Sequence, residues 1–223
     1  MNEIFDPKYF SEACKICLSD KALNNIKSGN LKLVVQKRGP LPQIDSLSVS
    51  IGDVTGYIAL YIGGNGNELV LHDGVSGNFD LRLWRESRII FDEKTTSNGL
   101  RVECDKSEFL VGKDCMFSDS ILAQTSDQHG IVCLKTKKII NLNRNVTKLG
   151  DHCWVGRGAT ITSNLEIGEG SVIGTSSVVT KDIPSFSIAA GVPAKVVREC
   201  VTWSRFPERL CDSAQKYLEF QWD

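Results

Sequence analysis

The chain has 223 residues, with 26 basic and 27 acidic side chains and a formal net charge of −1. It is long enough to bury a core, and its charges are too balanced for a surface that would hold a polyanion throughout, so nucleic acid is not an expected partner. The opening Met1-Asn2-Glu3-Ile4-Phe5-Asp6-Pro7 lacks the basic flank and apolar stretch of a signal peptide, and no run of about 18 apolar residues reads as a membrane span. Eight cysteines in a chain without an export signal point to reduced thiols and a cytoplasmic setting.

In chain order, residues 6–28 read as a helix. Asp6-Pro7 suits an N-cap followed by proline at the first helical position. Phe10, Ala13, Cys14, Cys17 and Leu18 recur at the spacing of one buried helical face, and Asn25 and Gly29 are stop signals. Cys14 and Cys17 form a C-x-x-C, but no second one follows and no thioredoxin-like context surrounds it, so both are assigned to that apolar face. The first segment, 1–30, is therefore expected to be helical and to lid one end of the β structure downstream.

Between Leu31 and Leu110 short apolar runs are broken by glycine, asparagine and aspartate. Leu31–Val35, Tyr57–Ile62 and Glu68–Leu71 read as strands, with Gly63-Gly64-Asn65-Gly66 as a turn between the last two. The period is irregular and sets no register. A sharper pattern begins at Leu149-Gly150 and continues through Val155-Gly156, Ile161-Thr162, Ile167-Gly168, Ile173-Gly174 and Val179-Thr180. Six consecutive six-residue units open on an aliphatic residue, and four place glycine second. Strands repeat every two residues and helices every 3.6, so neither demands this spacing. A polygonal coil of short strands does, with the aliphatic residue inward and a small residue at each corner. Val111-Gly112 and Phe117-Ser118 keep the step upstream, so the coil starts before residue 110. Residues 127–148 are expected to leave it as a loop. The coil domain is placed at 31–200, and 201–223 as a C-terminal helical extension in which Leu210, Cys211, Ala214 and Leu218 share a face of a closing helix.

Further motifs carry a resemblance. Cys115-Met116-Phe117-Ser118, Ser126-Asp127-Gln128-His129, the stretch Gly150 to Gly156, Gly168 to Pro184, and Ala190-Gly191-Val192-Pro193-Ala194-Lys195-Val196-Val197-Arg198-Glu199 resemble the hexapeptide-repeat O-acetyltransferases that act on galactosides, maltose and capsular polysaccharides. The likeness covers residues 88–203, and the repeat alone does not dictate the trailing A-G-x-P-A-K-V. It implies a left-handed parallel β-helix, a homotrimer with sites between neighbouring subunits, acetyl-CoA as co-substrate and a saccharide or polysaccharide acceptor. Surface-polysaccharide modification, of a capsule or O-antigen, is the implied setting.

Moving an acetyl group from a thioester to a hydroxyl needs a base for the hydroxyl proton and dipoles aimed at the oxyanion. Histidine, with an unperturbed pKa of about 6.5, can take that proton and return one to the departing thiolate. Of three histidines, His129 matches the catalytic position of the family and lies where the coil breaks. Asp127 either orients its ring or caps a turn. His152 sits in the coil and is read as structural, while His72 has no supporting context. Trp154 matches the tryptophan that lines the acetyl site, with packing as the equal alternative. Cys115 and Cys153 are read as core rather than as acyl carriers. For the cofactor, Lys181, Lys195 and Arg198 match residues that meet the phosphates, and Arg157, Thr175 and Thr180 match residues along the pantetheine arm. Asn164 stands where many relatives have glycine, at a corner whose left-handed conformation asparagine tolerates.

Three rival readings compete with this one. A metal-dependent enzyme of this fold would need clustered histidines, and none are close in sequence, so no metal is expected. N-acetylation of an amino sugar or nucleotide-linked sugar would use the same base and cofactor. Relatives of that kind often carry an N-terminal nucleotide-binding domain, and residues 1–87 show no G-x-G-x-x-G after a strand. A non-catalytic β-helix scaffold would need neither the His129 motif nor the trailing cofactor motif.

Overall fold

The computed structural model of the chain describes residues 4–142 and 145–219. Among these, the backbone winds as a parallel β-helix whose strands stack into two long sheets. One sheet takes, in order, Lys15–Leu18, Leu47–Ile51, Asn67–Leu71, Arg88–Phe91, Ser107–Val111, Asn145–Leu149 and Leu165–Ile167. The other opens with four long strands, Leu31–Lys37, Thr55–Ile62, Ser76–Leu83 and Thr96–Cys104. It continues as pairs of short ones: Met116–Phe117 with Ile121–Gln124, Trp154–Val155 with Thr160–Ile161, and Val172–Ile173 with Val178–Val179. Thr96–Cys104 is the join. Its first residues pair with Met116–Phe117 and its later ones with Ile121–Gln124.

Register accounts for the sequence pattern and for its failure upstream. Trp154 lies beside Val172, Thr160 beside Val178 and Thr147 beside Leu165, each 18 residues on, or three hexapeptides. In the first half Val49 lies beside Leu69 and Ile90 beside Leu110, 20 residues on, and Ile58 beside Phe79, 21 on. The longer coils are filled by rings: Phe91 meets Phe79, Phe109 and Phe117 edge-on at 5.1, 5.9 and 6.2 Å between centroids. The shorter coils hold aliphatic side chains instead. Leu149, Val155, Ile161, Ile167, Ile173 and Val179, the residues that open the six repeats, are all at most 1% exposed. Burying each stabilises the fold by roughly 1.5–3 kcal/mol relative to leaving it in water.

The corners have a shared geometry. Gly74, Lys94, Asp114, His152, Gly170 and Phe186 follow one another at the same corner, all with φ between 53° and 80°. Each backbone N–H there donates to a carbonyl of the preceding coil, such as Asp114 to Glu93 and His152 to Lys113. The left-handed conformation turns the N–H along the coil axis, so the corner closes without an orphan donor. Asn164 adopts φ 58°, as its place in the repeat implies.

Both ends differ from the sequence reading. The helix expected over 6–28 is confined to α1, Asp20–Ser28; Lys15–Leu18 is instead a strand paired with Leu47–Ile51. Ile16 and Leu18 turn toward the core at strand spacing while Cys17 is exposed. The free edge of Leu47–Ile51 offers a full ladder of backbone partners, which outweighs the helical spacing of Phe10, Cys14 and Leu18. Ser19 then caps α1, its Oγ accepting from Ala22 N, and Gly29 ends it in the left-handed conformation. Asn25 is no stop: its amide donates to Asp53 Oδ1 and Val54 O and holds the helix over the end of the core, with Ala22 fully buried. The β structure therefore starts before residue 31, and it resumes at Asn145, inside the stretch read as loop.

The C-terminal helix is α2, Asp212–Leu218, shorter than expected; it buries Cys211 and Ala214 but leaves Leu210 and Leu218 exposed. It does not lie across the last coil. After the hairpin strand Lys195–Arg198, the tail runs back along the corner that holds Asp114 and His152, one coil at a time. Val201 N donates to Phe186 O, Thr202 Oγ1 to Gly170 O, and the Trp203 indole N–H to His152 O at 2.7 Å. Arg205 reaches Asp114, Thr96 Oγ1 and Lys94 O. The tail is an axial strap across five coils.

Candidate active site

Between Ile121–Gln124 and Asn145–Leu149 the chain leaves the coil and forms a small antiparallel hairpin, Val132–Cys133 with Lys138–Ile139. His129 stands at its foot, exposed, on the wall of a cavity of about 260 Å³. Asp127, Gln128 and Asn141 line it from the loop, Ser126 and Asn145 from the loop's two ends, and Arg85, Asp105 and Lys106 from the preceding coils. Asn141 holds the loop closed. Its Nδ2 donates to Asp127 Oδ2 and to His129 O, both at 2.8 Å, and its Oδ1 accepts from Ile131 N at 2.8 Å. Asp127 is thus bonded to Asn141, within the same loop.

The floor below the loop is a buried polar cluster. Ser107 Oγ and Thr125 Oγ1 lie 2.6 Å apart, and Thr125 Oγ1 also bonds Glu103 O at 2.9 Å and Cys104 Sγ at 3.1 Å. Burial pushes the Cys104 thiol up to about 11, so it stays protonated. On one side Arg85 pairs with Asp105 through Nε at 2.9 Å, and on the other Glu103 accepts from Trp84 Nε1 at 3.2 Å and Gln128 Nε2 at 3.4 Å. Beyond Glu103 opens a second cavity lined by Arg38, Tyr61, Arg82 and Trp84. Arg38 and Arg82 both lie over the Tyr61 ring, at 5.4 and 5.0 Å from its centroid.

The other site residues read from the sequence are not gathered here. Trp154 does not line the His129 cavity; its Nε1 donates to Ser118 Oγ at 3.4 Å, and its ring lies 5.9 Å from that of Trp203. Arg157 and Thr175 are exposed on successive coils at one corner, and Arg157 Nε pairs with Asp119 Oδ1 at 2.6 Å. That pairing holds the Asp119 carboxyl below its usual range. Thr180 and Lys181 are exposed just past Val178–Val179, and Lys195 and Arg198 are exposed on the hairpin strand that returns along Ile188–Ala190.

His152 is structural. It is 1% exposed and stacked on Trp203 with centroids 4.2 Å apart. Its Nδ1 lies 2.8 Å from Asp114 Oδ2 and its Nε2 lies 2.9 Å from Trp203 O. Cys115 and Cys153 are fully buried in the core, and burial drives the Cys115 thiol far above its ordinary range. No cluster of metal-ligating side chains is found among the described residues. Sequence reasoning missed Asn141, Glu103, Arg85 and Lys106. Counting back one 21-residue coil from Gln124 leads to Glu103, but the coil length has to be known first.

A parallel β-helix of hexapeptide coils with a histidine-bearing loop defines a class. Residues 147–181 match the family model described as "Bacterial transferase hexapeptide (six repeats)", and the chain carries the repeat and the fold of the hexapeptide-repeat acetyltransferases. Over 127 residues, 56% of this chain, it is 33% identical to the polysialic acid O-acetyltransferase of Escherichia coli O1:K1 / APEC, covering 41% of that protein. Over 51 residues, 23% of this chain, it is 49% identical to the galactoside O-acetyltransferase of Escherichia coli (strain K12), covering 25% of it. This chain thus spans less than half the length of these curated relatives. The crystal structure of the polySia specific acetyltransferase NeuO superposes with a TM-score of 0.78 at 28% identity, over 92% of both chains. That of the polysialic acid O-acetyltransferase OatWY gives 0.76 at 22% identity, over 94% of this chain and 97% of the other, and shows a shared fold.

Proposed function

We propose that the chain is an acetyl-CoA-dependent acyltransferase that moves the acetyl group to a saccharide hydroxyl, with His129 as general base. The observation that carries this reading is the placement of His129 on the wall of a cavity, on a loop pinned by Asn141. The proteins to which the chain is similar are named as acetyltransferases of polysialic acid and of galactosides. The imidazole accepts the proton of the attacking hydroxyl and passes one to the leaving CoA thiolate. Trp154, which does not line the His129 cavity of its own chain, walls the thioester from a neighbouring copy in this reading, and Asp127 acts through the loop that carries His129. Arg157, Thr175 and Thr180 border the pantetheine arm, with Lys181, Lys195 and Arg198 toward the phosphates.

The second cavity, with its tyrosine, tryptophan and two arginines, favours an acceptor longer than one sugar, because aromatic and guanidinium groups suit ring faces and carboxylates. A polysaccharide of the cell surface, modified in the cytoplasm, fits this reading. We further infer a homotrimer. Ile131, Leu134, Ile140 and Leu142 on the hairpin are 52%, 88%, 61% and 77% exposed, an apolar strip that a neighbouring copy would cover. The site is then completed between two chains. No helix of the described residues is long and apolar enough to cross a membrane.

The test is release of free CoA thiol from acetyl-CoA in the presence of polysialic acid, of galactosides and of a wider sugar panel. Acceptor-dependent release is the expected result. Release that no saccharide stimulates, or none at all, would refute the reading. Sedimentation of the purified chain as a monomer would refute the trimer.

A further inference from the structure

Ser126 is more than nine-tenths buried, and its Oγ has no hydrogen-bond partner among the described residues. Around it the polar groups are paired. Thr125 Oγ1 bonds Ser107, Glu103 O and Cys104; Asn145 Nδ2 donates to Thr125 O; Gln124 Nε2 donates to the carbonyl of Ser126 itself. The other unbonded buried polar atom among the described residues, Arg88 Nε, still lies 2.8 Å from Glu68 Oε2 in an ion pair. The Ser126 hydroxyl is left with neither bond nor charge partner among the described residues. A hydroxyl taken out of water and given no partner is a net cost that alanine in the same place would avoid.

The orphaned hydroxyl also has a specific place. Ser126 lines the same cavity as His129, two residues past the strand Ile121–Gln124 and ahead of the hairpin, and its carbonyl accepts from Gln124 Nε2. A serine side chain has three staggered positions, and Ser126 already lines the cavity into which its hydroxyl would turn.

We propose that Ser126 is an acceptor-binding residue: its hydroxyl bonds an oxygen of the saccharide whose neighbouring hydroxyl is deprotonated by His129. This rests on the acetyltransferase reading above. It assigns to the cavity an acceptor-orienting role, with the serine fixing which sugar oxygen faces the imidazole.

The variant Ser126→Ala separates this from a packing role, because the two predict opposite pairings of stability and activity. Removing an unpaired buried hydroxyl is expected to leave the thermal midpoint unchanged or to raise it. Removing an acceptor contact is expected to lower kcat/KM for the saccharide by about 10-fold or more, with KM for acetyl-CoA unchanged. Ser126→Cys, close in size and a weak donor, is expected to fall between the two. A variant as active as wild type on polysialic acid and galactosides refutes the proposal and leaves the proposed function intact. Equal loss toward acetyl-CoA and saccharide, or a lowered thermal midpoint, assigns Ser126 to the framework and also refutes it. A wild-type chain that transfers acetyl to no saccharide removes the proposed function, and this inference with it.

Discussion

His129 is held through its own backbone carbonyl, which accepts from a neighbouring side chain. Asn141 bonds the carbonyl of His129 and the carboxylate of Asp127 with one amide, and takes a third bond from Ile131. Truncating His129 to alanine is expected to lower turnover by about 10² to 10⁴-fold while leaving the dissociation constant for CoA within about twofold. Calorimetric titration beside a thiol-release assay measures both. Asn141→Ala frees the loop while keeping His129, so with His129 as the proposed base kcat is expected to fall by about 10-fold or more, since a small displacement of a catalytic group is costly. A fall in thermal midpoint of more than a few degrees would show instead that the loop supports the coil. Lys181→Ala is expected to weaken CoA binding, and an unchanged constant would remove Lys181 from the cofactor site.

At the scale of strands and corners, the sequence displays the structure wherever coil length is a multiple of six. The aliphatic residues from Leu149 to Val179 and their corners were legible because an 18-residue coil superimposes three hexapeptides in every turn. With coils of 20 or 21 residues the phase slips at each turn, and long strands such as Ser76–Leu83 carry alternation that looks like ordinary sheet. The wall contributed by Arg85, Asp105 and Lys106 was hidden for the same reason. These residues meet His129 only through stacking, and nothing local marks them. Backbone contacts at the corners lead to a further expectation. Gly77 has φ 113°, and a Cβ there would overlap the carbonyl oxygen of Ser97 on the next coil. Gly77→Ala should therefore destabilise by about 2–4 kcal/mol, read as a shift in the denaturant midpoint.

The strap joins distant parts of the molecule through one carboxylate. Burial by itself would raise the Asp114 carboxyl, but hydrogen bonds from His152 and Ser213 and the charge of Arg205 outweigh it and hold the group well below the usual carboxylate range. Because the folded value lies below the unfolded one of about 3.9, its contribution is full above that pH. It is lost as pH falls toward the folded value. Wild-type thermal midpoints should therefore drop more steeply below pH 4 than those of Asp114→Asn, which should be less stable by about 2–3 kcal/mol at pH 7. Parallel slopes would show that other carboxylates dominate. A solenoid held only by contacts between adjacent turns can fray from its end one turn at a time. Here a single run of residues from Val201 to Arg205 is bonded to Phe186, Gly170, His152, Asp114 and Lys94, so the final coils cannot loosen separately without breaking the same seam. Cutting the chain after Cys200 should turn one sharp melting transition into a broad or split one. The seam behaves as a rivet line, and the tail, none of whose described residues lines the histidine cavity, sets how cooperatively the protein melts.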